Sequence, residues 1–180
     1  MSLDVNLLRS HVIRPTLSIM ADVEPAIQSE AAENLLIGTA ATESGLTSIV
    51  QRNGGPARGL WQVEPRTEDD TWRNFLAYRP ELGDQIKDLI AGGGVVPAGD
   101  LLALNHCYCC AMARLVYWRQ SDPLPPADDP VSMAAYWKDH YNSKRGLGEI
   151  RDFTRAWHSL VKGKLDRSPI GTATKGVRDA

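Results

Sequence analysis

Glu43 stands where the sequence pattern calls for an apolar side chain. It follows "LLIGTAAT" (35–42), and Leu36, Thr39, Ala40 and Glu43 share one helix face at the i, i+3/i+4, i+7 spacing. A carboxyl at a helix C-terminus feels the negative end of the helix dipole, which disfavours its ionised form. Partial burial acts in the same direction. Glu43 is thus a candidate general acid, holding near neutral pH a proton that it can give to a leaving-group oxygen. The bland alternative is a Glu at a frayed helix end, pointing to solvent. Against it stand the apolar face and the Gly-rich stretch that follows, since loops held by rigid helices are where active sites tend to sit.

That stretch, residues 46–66, reads as irregular. "NGGPARG" (53–59) packs in more turn formers than a helix or a central strand tolerates. A short extended segment is expected around "GLWQVEP" (59–65). Trp61 there has two readings, ligand stacking or core packing, and Gln62 is by default a solvated amide. Glu64, Asp69 and Asp70 are the candidates for a second acid/base carboxylate beside Glu43, although "TEDD" (67–70) reads equally well as the acidic first turn of a helix.

The elements that must position these groups are helices. Leu7, Leu8 and Val12, then Leu17 and Met20, follow helical spacing, with Pro15 opening a second helix. Ser29 is the expected N-cap of the helix that carries Glu43, with Glu30 and Glu33 as dipole partners in its first turn. Helical spacing resumes near Thr67 through Trp72, Phe75 and Leu76, then Leu82, Ile86, Leu89 and Ile90, until "GGG" (92–94) and Pro97 break it. Asp100 is the expected cap of a long buried helix reaching about Gln120. After the proline-rich "SDPLPPADDP" (121–130), helices are expected from about Val131 to Tyr141 and from about Leu147 to Val161. The fold class is mainly α, one domain over 1–162, with a flexible tail over 163–180. That tail carries Lys162, Lys164, Arg167, Lys175 and Arg178 against Asp166 and Asp179.

Composition narrows the functions. The chain has 180 residues, 43% hydrophobic and 23% charged, and a formal net charge of −2. That balance is ordinary for a globular domain and gives no electrostatic case for nucleic acid or an anionic membrane. No uninterrupted apolar span crosses a bilayer, since "LLALNHCYCCAMARLVYW" (101–118) is broken by Asn105, His106 and Arg114. Asp4, Arg9, His11 and Arg14 interrupt the N-terminal stretch, so no secretory signal is read there. Cys107, Cys109 and Cys110 are the three cysteines. They lack the second ligand pair of a zinc site and read as small buried apolar residues. No metal and no cofactor is expected.

Three motifs together carry a resemblance. "ESG" (43–45), "GLWQ" (59–62) and "YN" (141–142) resemble the lysozyme-like superfamily, closest to soluble lytic transglycosylases and goose-type lysozymes. The third departs from the family's A-Y-N-A-G, reading "HYNSKRG" (140–146) here. "ARGLWQVEP" (57–65) also resembles bacteriophage proteins of this superfamily. The resemblance implies a helical fold with a Gly-rich cleft loop or small β element. It also implies cleavage of the β-1,4 bond between N-acetylmuramic acid and N-acetylglucosamine in peptidoglycan. Carried over by position, it makes Glu43 the acid/base and places Gln62 near the scissile sugar. Tyr141 would hold Glu43 through its hydroxyl, Asn142 would support the cleft, and Ser44 and Trp61 would contact substrate. Lytic transglycosylases need a single Glu, because the substrate's N-acetyl group stabilises the oxocarbenium-like centre and its 6-hydroxyl closes an anhydro ring. A hydrolytic muramidase would use a second carboxylate. The expected partners are glycan strands and, for a phage protein, other virion components, with delivery from the cytoplasm by virion or release. Competing readings are a wall-binding component without turnover and a thiol or metal protein centred on Cys107–Cys110.

Overall fold

The computed structural model describes residues 2–51, 54–91, 100–142 and 148–165. The expected breaker "GGG" with Pro97, the turn residue Asn53, a helix start at Leu147 and the tail from Asp166 onward lie outside the described residues.

The chain is mainly α-helical. Asp4 caps α1 (Val5–Leu8) by accepting from the amides of Asn6 and Leu7. The helix continues through a π-helical turn (Arg9–Ile13) into α2 (Arg14–Ala21). Pro15 therefore does not start a separate helix. It lacks an amide hydrogen, and the wider π turn just before it is where the backbone ladder absorbs that loss.

α3 (Glu30–Ser44) begins at Ser29, whose hydroxyl accepts from the Ala32 amide, as expected of an N-cap. Gly45, at φ +62°, ends it. Every residue from Ala32 to Ala41 is buried, so α3 is central rather than one-sided. Glu33 departs from its reading as a dipole partner. Its carboxylate is fully buried and takes Arg9 Nε at 2.6 Å and Arg14 Nε at 3.1 Å. This ion triad fastens the N-terminal helices to α3.

The helix expected near Thr67 is α4, which starts two residues earlier (Pro65–Asn74), and a 3₁₀ turn (Leu76–Tyr78) leads into α5 (Pro80–Ala91). The single long helix expected from Asp100 is two helices. α6 (Leu101–Leu104) stops at Asn105, whose side chain accepts from the Tyr108 amide and starts α7 (His106–Trp118). Asp100 makes no side-chain cap. α8 (Pro130–Trp137) is capped by Asp129 and runs into a π turn, Lys138–Asn142. α9 (Ile150–Ala156) starts at a capping box between Glu149 and Asp152 and ends in the π turn Trp157–Val161.

α3 packs on α7, α8 and α9, and α7 packs on α2, α4 and α5. One core of buried side chains runs from Val5 to Val161. Gly38 shows how closely it is fitted. A Cβ there would lie 2.2 Å from Cζ of Phe153, the fully buried aromatic of α9. Helix propensity alone makes Gly38→Ala stabilising by about 1 kcal/mol. The contact reverses the sign, and we expect a net loss of about 1–2 kcal/mol in denaturant melts. An unchanged or higher midpoint would mean that Phe153 yields freely.

Candidate functional site

The last turn of α3, the loop after it, α4 and the π turn Lys138–Asn142 enclose a cleft of about 1010 Å³. Its walls include Thr42, Glu43, Gln62, Glu64, Arg66, His140, Tyr141 and Asn142. The size is at the upper end of ligand sites generally.

The loop is shaped by isolated antiparallel bridges, Val50 with Arg58 and Arg58 with Val63, rather than by strands. "GLWQVEP" accordingly folds as a tight turn, not as the expected extended segment. Gly59 adopts φ +73°, and a Cβ on it would meet the Leu102 carbonyl oxygen at 2.2 Å and Cys109 Sγ at 2.3 Å. Both the left-handed backbone and the contact demand glycine. Trp61 is fully buried and donates from Nε1 to the Leu36 carbonyl at 2.9 Å. Its expected contact with a sugar is therefore corrected: Trp61 is the anchor that ties the loop to α3. The next residue, Gln62, has φ +48° and lines the cleft, with Nε2 donating to the Gly59 carbonyl at 2.7 Å. A non-glycine residue held in that region is strained, and such residues gather at functional sites.

Glu43 is half-buried on the cleft wall. Burial pushes its carboxyl from 4.5 up to about 7, and a hydrogen bond from Trp137 works the other way. That bond runs from Trp137 Nε1 to Glu43 Oε1 at 2.9 Å. Tyr141 does not hold Glu43 as expected, because its hydroxyl donates to the Trp61 carbonyl at 2.7 Å. It braces the loop instead, while its neighbour Asn142 accepts from Lys138 Nζ at 2.8 Å at the cleft edge. Ser44 is buried, and its hydroxyl donates to the Ala40 carbonyl and accepts from the Leu46 amide. Those bonds finish the helix, at a position that also lines the cleft.

The three candidate second carboxylates separate cleanly. Glu64 lines the cleft, in an ion pair with Arg66. Asp69 pairs with Arg73 along α4, and Asp70 binds Asn74 and Arg119, which hold its carboxyl below the usual range. Neither Asp69 nor Asp70 is on the cleft wall. They pair along α4, and because that helix begins at Pro65 only Glu68 among the acids of "TEDD" falls in its first turn, which corrects the expected first-turn placement of Asp69 and Asp70.

The sequence reading missed Trp137, Arg66 and His140. Trp137 lies one helical turn before Tyr141, so extending "YN" back by four residues would have found it. His140 lines the cleft and contacts Asp122 at 3.2 Å, its ring 4.3 Å from that of Tyr136.

Cys109 and Cys110 are buried, with the Cys109 thiol pushed up to about 12 by loss of solvent. Both side chains belong to the buried core, where they pack as small apolar groups. Among the described residues no three His, Cys, Asp or Glu side chains gather as a metal site, and no helix is long and apolar enough to cross a membrane. No family model, no curated protein and no solved structure matches this chain.

Proposed function

We propose that the cleft cleaves the β-1,4 bond between N-acetylmuramic acid and N-acetylglucosamine in peptidoglycan, with Glu43 as acid/base. The observation that carries the reading is a carboxyl raised to about 7, on the wall of a cleft large enough for a glycan. A carboxyl raised that far exchanges its proton near neutral pH, the condition in which one group can both give and take it.

In the reaction proposed, Glu43 protonates the glycosidic oxygen as the C1–O bond breaks. The N-acetyl group of the muramic residue stabilises the positive centre. The Glu43 carboxylate then takes the proton of the 6-hydroxyl as O6 bonds to C1, closing a 1,6-anhydro ring. No second acid is needed. Glu64 on the same wall favours a second reading, hydrolysis with water activated by Glu64. The ion pair with Arg66 occupies that carboxylate, so the anhydro route is preferred.

Mass spectra of soluble products from purified peptidoglycan test both. Anhydro ends are expected. The same fragments heavier by one water would establish hydrolysis, and no release at all would leave a wall-binding component. A general acid loses activity as it ionises, so kcat/KM is expected to fall as pH rises through about 7. A flat profile between pH 6 and 8 would remove Glu43 from the role.

A further inference from the structure

A carboxylic acid has two unlike oxygens, and something must decide which one carries the proton. Glu43 has one hydrogen-bond partner among the described residues, the indole N–H of Trp137 on Oε1. An oxygen that accepts an N–H bond is the natural carbonyl end of the acid. Oε2 is left for the cleft that Glu43 lines.

Trp137 is itself held fast. It is buried, and its ring lies 5.9 Å from that of Phe153. Phe153 in turn fills the notch at Gly38, five residues before Glu43 on α3, and stacks on Trp157 at 6.4 Å. The helix that bears the carboxyl thus also seats, through Phe153, the ring that steers it.

We propose that Trp137 is the positioning residue of Glu43: by donating to Oε1 it makes Oε2 the oxygen that delivers the proton to the substrate and takes one back. The assignment rests on the acid/base role proposed above for Glu43. Other groups around Glu43 are accounted for. Tyr117 from α7 pairs its hydroxyl with Thr39, and Tyr141 gives its own to Trp61. Both phenols stay neutral, since burial raises them well above the ordinary tyrosine range. His140 from the π turn contacts Asp122, and Glu64 with Arg66 forms its own pair. Trp137 alone touches the carboxyl by hydrogen bond among the described residues.

The test is an infrared titration of Glu43, isolated as the difference from Glu43→Gln, in three chains. These are the natural protein, Trp137→Phe, and a chain with a benzothiophene in place of the indole at position 137. The last keeps the ring's shape and lacks the N–H. Without that bond the ionised form loses a stabilising donor. The midpoint is therefore expected to rise from about 7 in both altered chains, and the acid's C=O band to move to higher frequency. The alkaline limb of kcat should move up with it, and kcat fall about tenfold with KM little changed. A purely structural role predicts the opposite sign, because a loosened pocket admits water and lowers the midpoint. A midpoint and band unmoved in the benzothiophene chain, or a midpoint that falls there, overturns the assignment. Should no chain cleave peptidoglycan, the enzymatic reading fails while the infrared result still decides what Trp137 does.

Discussion

Glu43→Gln is expected to lower the rate of the proposed glycan cleavage by about 10²–10⁴-fold while making the protein more stable at alkaline pH. The amide keeps the size of the carboxyl and an oxygen for the Trp137 N–H, so the cleft keeps its shape. It has no proton to give. The stability gain follows from the raised carboxyl. Between 4.5 and about 7 the folded chain holds a proton that the unfolded chain has released. Stability of the natural protein therefore falls as pH climbs through that window, by about 3 kcal/mol at most. The amide variant does not titrate and is exempt. Urea melts of both chains should nearly coincide at pH 4 and separate by pH 8, with the variant the more stable. Equal stability at both pH values, or undiminished turnover, would mean that Glu43 is an ordinary surface carboxylate.

Glu33→Ala is expected to cost about 3–5 kcal/mol, the largest stability loss foreseen for one substitution here. The reason is what remains behind. Arg9 is almost wholly buried and Arg14 largely so, and both direct Nε at the Glu33 carboxylate. Removing the carboxylate leaves two cations without their shared anion, Arg9 in a place water barely reaches and Arg14 only partly exposed. For a domain of this size the melting point should drop by about 10 °C. Replacing all three residues together by apolar ones of similar volume should cost far less, since desolvation offsets much of an ion triad's Coulomb gain. If the single and triple changes cost the same, packing rather than charge explains the loss.

These two glutamates show how far the sequence could be read. Both sit on α3, and the helix itself was legible from Ser29 and the apolar run after it. Glu43 was legible because it broke an apolar face close to a loop. Glu33 was not, because an acid in a first turn already has a sufficient local explanation, and its partners lie 24 and 19 residues away. The division of 101–118 escaped notice for a similar reason. The run is apolar on nearly every side, so periodicity gives no hint of a break, and Asn105 looks like an interior residue until its side chain is seen capping α7. Among tryptophans, type alone could not sort Trp61, which anchors the loop, from Trp137, which meets the carboxyl. That choice depends on how the loop and α8 approach α3.

The π turn at Lys138–Asn142 has a consequence for any helical wheel drawn through this chain. A π turn accommodates one residue more than an α-helical turn does. A wheel that steps 100° per residue from Pro130 onward runs a full step ahead of the real helix by the time it reaches Tyr141 and Asn142. It would rotate that pair off the cleft wall and put their neighbours in their place. Alignments that match motif letters across this segment need a one-residue allowance after Trp137. A chain with the same letters and an unbroken α-helix would turn a different pair of side chains toward the cleft.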